Sequence, residues 1–402
     1  MARMQWANAL STRPSLEAAV NEVVEKATSQ LTHEPHLGLV FISSAFTSEY
    51  SRLLPLLAQK LSVPVLIGCS GGGIVGTNAQ NQTQELEAEP ALALTLAYLP
   101  DVNVQAFHIT LDELPDLDSS PDAWVDFIGV PANPVPKFIL FSGTFSTGVN
   151  DLLQGLDFAY PGSVTLGGQA SGSGGFGSRV ALFYNGKMHR DGLVGVALSG
   201  NIVVDTIVAQ GCRPIGEPLQ VTRGDRNIIL ELNDKVPLAV LRDLVADLSE
   251  EEKMLAQNWL FVGVAMDEFK QNLQQGDFLI RSILGVDPSA GAIAIGDVVR
   301  PGQRLQFHIR DAQTSAEDLE LFLQSYQKEH FGQETPVGAL MFSCLGRGEG
   351  LYGQPNFDSH LFQRYLHNIP LSGFFCGGEI GPVKGRTFLH AFTSVFGICR
   401  QL

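Results

Sequence analysis

No stretch of this 402-residue chain approaches the ~18 consecutive apolar residues of a spanning helix. The opening MARMQWANAL lacks the apolar h-region of a secretory signal. A cytoplasmic protein that makes no use of a membrane is therefore expected. Cysteine is scarce as well. Cys69, Cys212, Cys344, Cys376 and Cys399 are odd in number, widely spaced and never arranged as C-x-x-C. That pattern argues against a disulfide framework and the usual zinc sites, so the thiols are expected to be reduced and no cofactor or metal is assigned. Positive charge is in deficit, with 26 Lys and Arg against 42 Asp and Glu and a net charge of −16. Such a balance repels phosphate backbones, and nucleic-acid binding is not expected. A single buried Arg in a local pocket stays compatible with it.

What is present is a globular composition, 45% apolar and 17% charged. Single hydrophobic cores usually stop growing near ~250 to 300 residues, so two domains are expected. Residues 15–31 place Leu16, Ala19, Val20, Val23, Val24, Ala27 and Leu31 on one helical stripe behind an N-cap Ser15. A pattern then occurs three times. LGLVFIS ending at Ser43, a helix-like YSRLLPLLAQKL and VPVLI run into GCSGGGIVG at 68–76. KFILFS ending at Ser142, VNDLLQGLDFA and SVTL run into GGQASGSGG at 167–175. VGALMFS ending at Ser343, FDSHLFQRYLHN and PLS run into GFFCGGEIG at 373–381. The strand-end Ser precedes the first Gly by 25, 25 and 30 residues, and Gly recurs at offsets zero, five and eight in each turn.

Strand, helix and strand in about 30 residues is the size of a parallel βαβ unit. The fold class expected is α/β, with mixed sheets built from three such units plus antiparallel additions. The added strands are ALALTLAYL at 91–99 and the stretch RVALFYNGKMHRDGLVGVALSG, whose Asn185-Gly186 signals a hairpin. The acidic, proline-bearing stretch 112–137 reads as an irregular surface excursion. A boundary is placed near 232–238, before two helical segments, three strands and an acidic helix from Ser315 to about Lys328. In open α/β sheets ligands bind outside the carboxyl ends of strands, so the strand-end serines and glycine turns become a candidate site.

Each motif there carries a chemical reading. GCSGG satisfies the G-x-S-x-G pattern of a nucleophile elbow around Ser70, but the polar TNAQNQTQELEAE after it supplies no helical stripe. GGGIVG at 71–76 and GSGGFG at 172–177 match G-x-G-x-x-G. The second runs straight into a strand where a dinucleotide site needs a helix. Three coincident glycine turns instead suit a shared cleft whose bare N–H groups face an anionic ligand. Cys69, Cys344 and Cys376 end strands, where a thiol nucleophile or simple packing both remain open. In the loop CLGRGEGLYGQ, Arg347 offers a planar fork for a carboxylate, and Glu379 offers an acceptor for an amine. The ligand-binding candidates are Ser43, Cys69, Ser70, Gln169, Ser171, Arg347, Cys376 and Glu379. No residue is assigned a catalytic role.

These segments together resemble the FIST family, a paired N-terminal and C-terminal sensory module of bacterial signal-transduction proteins and some F-box proteins. LVFISSAF, IGCSGGGIVG and QGCRPIGEPLQVTRGDRNIILELN are similar to the N-terminal module. DFLIRSILGVDPSAGAIAIGDVVRPGQRLQFHIRD, FSCLGRGEGLYG and GFFCGGEIGP are similar to the C-terminal one. The resemblance implies a lead-in over 1–36, an N-like domain over 37–234 and a C-like domain over 235–402. It implies a small-ligand sensor, with an amino acid or other small carboxylate as ligand and a separate signalling protein as partner. An enzyme using a Cys or Ser nucleophile and a protein-interaction scaffold are the alternatives.

Overall fold

A computed structural model describes residues 2–402 apart from 79, 81, 144–147, 173–178, 275, 331 and 333. The chain packs as two compact units, one of residues 1–208 and 321–402, the other of residues 209–320. No described helix is long and apolar enough to cross a membrane.

The larger unit runs through one order of elements three times. The first pass is β1 (Gln5–Ser11), α1 (Leu16–Ser29), β2 (Leu37–Ser43), α2 (Tyr50–Ala58), β3 (Val65–Gly71), β4 (Gly73–Thr77), β5 (Thr83–Glu87) and β6 (Leu92–Tyr98). The second is β7 (Val102–Ile109), α3 (Pro121–Ile128), β8 (Lys137–Ser142), α4 (Val149–Ala159), β9 (Val164–Gln169), β10 (Leu182–Tyr184), β11 (Lys187–His189) and β12 (Leu193–Gly200). The third opens with β13 (Val203–Ala209) and is then interrupted by the smaller unit. That unit holds β14 (Cys212–Asp225), β15 (Ile228–Leu232), α5 (Pro237–Asp247), α6 (Glu250–Asn258), β16 (Leu260–Ala265), β17 (Phe278–Asp287), β18 (Ala292–Ile295) and β19 (Arg304–Arg310). The third pass resumes with α7 (Ala312–Glu329), β20 (Gly338–Cys344), a one-turn α8 (Glu349–Tyr352), α9 (Phe357–Tyr365), β21 (Leu371–Cys376), β22 (Glu379–Val383), β23 (Arg386–His390) and β24 (Ser394–Arg400).

The sheets show what this order achieves. Their strand orders are β1-β6-β2-β3-β10-β11, β7-β12-β8-β9-β22-β23 and β13-β24-β20-β21-β4-β5. Each has a parallel pair at its centre, β2 with β3, β8 with β9 and β20 with β21. Each ends in a hairpin that belongs to another pass: β10–β11 joins β3, β22–β23 joins β9, and β4–β5 joins β21. The exchange closes into a ring, since every pass gives one hairpin and receives one. Period-two alternation then sorts the side chains. Along β2, Leu37, Leu39 and Phe41 face an interior shared by all three sheets, whereas Val40 and Ile42 face α1 and α2. Phe41, Phe141, Phe342 and Phe374 meet in that interior, with Phe41 5.4 Å from Phe141 and 5.3 Å from Phe374 between ring centroids.

Local chemistry accounts for the elements. The Ser15 side chain accepts the Ala18 N–H and starts α1. Tyr184 pairs with Lys187 across Asn185 (φ 43°) and Gly186 (φ 80°), the positive-φ pair of a two-residue hairpin turn. The stretch 112–137 departs from the irregular excursion expected of it. Ser120 and Pro121 open α3, and Trp124 is buried completely against Gly155, where an added Cβ would lie 2.3 Å from the indole. β1 precedes the first helix although its QWANALS alternates weakly, because β6 pairs with it along its full length. In the smaller unit, β14-β15-β18-β17-β16-β19 close a barrel around Val221, Ile229, Val262, Ile293, Leu305 and Phe307.

One glycine recurs at the same register in each parallel pair. Gly68 lies opposite Val40, Gly167 opposite Leu140 and Gly373 opposite Met341. A Cβ at these glycines would lie 1.9, 1.9 and 1.7 Å from the facing carbonyl oxygen. Gly373→Ala is therefore expected to destabilise the fold by at least about 2 kcal/mol through overpacking. Gly350→Ala, with nothing within 4 Å of its Cβ, should leave stability unchanged or slightly raised. Urea unfolding of the two variants checks the contrast, and equal midpoints would contradict it.

Candidate functional site

The glycine turns follow β3, β9 and β21, and hydrogen bonds nest all three together. Ser171 is the common member. Its hydroxyl accepts the Gly72 N–H (2.8 Å) and donates to the Phe375 carbonyl. Its backbone N–H donates to the Ser70 carbonyl (3.1 Å), and its carbonyl accepts the Ser70 hydroxyl (3.1 Å). Gln169 and the third turn exchange a second pair of bonds, Gln169 N–H to the Gly378 carbonyl (2.8 Å) and Gly377 N–H to the Gln169 carbonyl (3.0 Å). The nesting leaves no space for side chains. A Cβ at Gly168 would lie 2.3 Å from Cys376 Sγ, and one at Gly72 would lie 2.4 Å from Leu345 Cδ2. Glycine is required here by close approach.

Ser70, Gln169, Ser171, Cys376 and Glu379 are thus brought to one place from three passes of the chain. Ser70 is completely buried and also accepts the Ala181 N–H (3.1 Å). Its turn leads from strand to strand, so the exposed hydroxyl and following helix of a nucleophile elbow are both missing. GGGIVG likewise opens β4 instead of a helix, and most of the second glycine match lies outside the described residues. Burial pushes the Cys69 and Cys376 thiols well above the usual cysteine range. For Cys376 the Glu379 carboxylate adds to the effect, and Cys69 and Cys344 add a little more. A nucleophilic cysteine needs the opposite shift. Glu379 is buried at the start of β22 and accepts the Thr393 N–H (3.0 Å). Among the described residues no group of three or more His, Cys, Asp or Glu is placed to hold a metal ion.

Two candidates are used elsewhere. The Ser43 hydroxyl accepts the Ala91 N–H (3.0 Å) and fixes the end of β2 to the chain entering β6. The register also places Ile42, not Ser43, at the position of Ser142 and Ser343, because each of these three lies two residues after the position that faces the recurring glycine, Val40, Leu140 and Met341. Ser142 and Ser343 are buried at their strand ends, and their hydroxyls meet no partner among the described residues. Arg347 is completely buried with its fork on Asp358, Nε to Oδ2 at 2.7 Å and Nη2 to Oδ1 at 3.0 Å, and Tyr352 donates to the same Oδ1 at 2.8 Å. Sequence reasoning missed Asp358. Its place inside the helical pattern FDSHLF marks it as a helix residue, and nothing linear links it to Arg347.

Mixed three-sheet architecture, exchanged hairpins and nested glycine turns define a two-unit α/β protein with its polar centre built from backbone. Family comparison carries this further. A FIST N domain matches residues 36–235 and a FIST C domain matches residues 237–382. The chain belongs to the FIST family, whose domains are recognised as sensory domains in signal transduction. It is similar to an uncharacterized protein of Mycobacterium tuberculosis, 36% identical over 386 residues that cover 96% of this chain and 97% of the relative. A Mycobacterium bovis protein is 34% identical over 384 residues, 95% of each chain. An F-box/LRR-repeat protein of Arabidopsis thaliana is 23% identical over 465 residues, covering 98% of this chain and 85% of the relative.

Removing one partner of a buried ion pair strands the other charge. Asp358→Ala is accordingly expected to cost about 3 to 5 kcal/mol of stability. Adding Arg347→Met should recover much of that loss. Urea melts of the single and double variants are the measurement, and a single variant as stable as the wild type would refute the role given to the pair.

Proposed function

We propose that this chain is a cytoplasmic small-ligand sensor that passes its signal to a separate protein partner. The ligand is read as an amino acid or another small carboxylate. The observation that carries the reading is the convergence of the three glycine turns on Ser171, which gathers backbone N–H groups and polar side chains from distant parts of the chain. Gly377 is exposed there, Leu345 is partly exposed beside Gly72, and Gln169 borders both the second and third turns. In this reading Gln169 and the Gly377 backbone take the ligand's polar groups, and the nearby Glu379 carboxylate favours an amine. Arg347 serves as a positioning residue, because drawing its fork away from Asp358 would strand a buried carboxylate at a cost of several kcal/mol. The raised thiols of Cys69 and Cys376 weigh against the enzyme alternative.

A thermal-shift screen of amino acids and small carboxylates tests the proposal, since a ligand at ~100 times its Kd adds ~2.7 kcal/mol of stability. Calorimetry on a hit should then show Gln169→Ala binding about tenfold more weakly, the loss of roughly one net hydrogen bond. A screen in which no member shifts the melt, or a folded Gln169→Ala protein with wild-type affinity, overturns the assignment.

A further inference from the structure

The hairpin that the first pass gives away carries two glutamates on one face of β5, Glu85 and Glu87. Each accepts a backbone N–H from the third pass. Glu85 Oε1 takes the Ser359 N–H (2.6 Å) in the first turn of α9, and Glu87 Oε1 takes the Glu349 N–H (2.9 Å) at the start of α8. The Glu85 backbone N–H in turn donates to Asn356 Oδ1 (2.6 Å), and Gln363 Nε2 donates to Thr83 Oγ1 (2.6 Å). The segment 345–359 is thereby fastened across β5.

The charges under this fastening do not balance. Glu85 and Asp358 are both buried, and the buried Arg347 fork bonds Asp358 through Nε and Nη2, with Nη2 donating to the Tyr352 hydroxyl as well. Tyr352 also donates to Asp358. Glu85 Oε2 is buried and meets no hydrogen-bonding partner among the described residues. Among the described residues, its acidic neighbours are Asp358 and, on its own strand, Glu87, which takes the Glu349 N–H of α8, while His360 and Arg364 of α9 are exposed. Across β4 its register neighbour is the apolar Val75. A second buried carboxylate without a cation of its own is costly, and the direct remedy is a proton.

We propose that Glu85 is a proton-operated latch: protonated, it holds the 345–359 segment on β5, and on losing its proton beside Asp358 it releases the segment. Burial, and after it the Asp358 carboxylate, pushes the Glu85 carboxyl from 4.5 up to about 8. A carboxyl raised in the folded state contributes most below its ordinary range. The contribution declines as pH rises above about 4.5 and is lost as pH passes about 8. Leu345, at the start of the segment, donates its N–H to the Cys376 carbonyl (3.0 Å), so release also reaches the glycine turns.

Hydrogen exchange on the full-length protein tests the latch without any ligand, and so separately from the sensor reading. Protection of peptides covering 345–360, corrected for intrinsic rates, should fall by up to about tenfold per pH unit between about pH 5 and pH 8, the slope of one linked proton, and level off above. Glu85→Gln, a neutral mimic of the protonated acid, should hold protection level across the same range. Level protection in the wild type, or an equal fall in Glu85→Gln, overturns the proposal. Should the variant fail to fold, the carbon-13 carboxyl shift of Glu85 in the wild type decides. A midpoint above about pH 7 supports the latch, and one near the ordinary carboxylate value excludes it.

Discussion

The larger unit depends on a close approach between two parallel strands. At Gly68, Gly167 and Gly373 the second strand of each pair passes so near the first that a Cβ would overlap its carbonyl oxygen. Beyond that point the chain leaves its own sheet and pairs with another. Such a crossing needs a thin turn, because three of them stack within hydrogen-bond distance around Ser171. Glycine at repeated offsets is the sequence consequence. The structural consequence is that no sheet is complete by itself. β3, β9 and β21 would each be a bare edge without the hairpin supplied from elsewhere, and bare edges are aggregation templates. The shared aromatic interior would likewise open to water. Stability is therefore pooled over the ring, unlike a solenoid, whose neighbouring repeats add nearly independent terms.

The smaller unit enters this ring at a tolerant place. It lies between β13 and α7, the connection that corresponds to β1–α1 and β7–α3 in the other passes. β13 is the outermost strand of its sheet, so lengthening the connection disturbs no central pairing, and loop closure grows only slowly with length. The family models meet at residues 235 and 237, inside this unit, between β15 and α5. Packing divides the chain at 208–209 and again within α7. The two divisions reflect different things. One follows matched stretches of sequence, and the other follows which residues share a core.

Much of the local structure was legible because it rests on local chemistry. The βαβ periodicity, the N-cap of α1, the Asn185-Gly186 turn and the glycine offsets are set by neighbouring residues. The exchange was not legible, because a strand's partner is chosen by shape and register far along the chain. β5 shows the difficulty. TQELE reads as polar loop, yet β4 pairs with it and α9 covers it. Glu85 sits in the middle of that strand as a buried acid. The strand-end serines misled for the same reason: Ser43 looked equivalent to Ser142 and Ser343, and only the facing register moved the equivalence to Ile42. Arg347 was recognised as a planar fork, but its partner comes from a helix that the sequence pattern treats as ordinary.

Three similar passes raise a problem of recognition, because apolar burial alone does not distinguish one hairpin from another. The polar bonds do. β5 carries Glu85 and Glu87 to the amides of α9 and α8. β23 carries Thr387, whose N–H and hydroxyl both donate to Asp157 of α4. At the turn after β10, the Asn185 N–H donates to the Leu66 carbonyl, and His189 of β11 stacks on His108 of β7 at 3.8 Å. No two sets are interchangeable. A hairpin paired with the wrong sheet would bury these groups unsatisfied, at roughly 1 to 3 kcal/mol for each neutral group and more for a charged one. A buried polar residue is thus weak as glue and strong as a discriminator. On that account Glu85 belongs to the assembly of the fold, and its surplus charge is the electrostatic consequence of marking one hairpin with an acid.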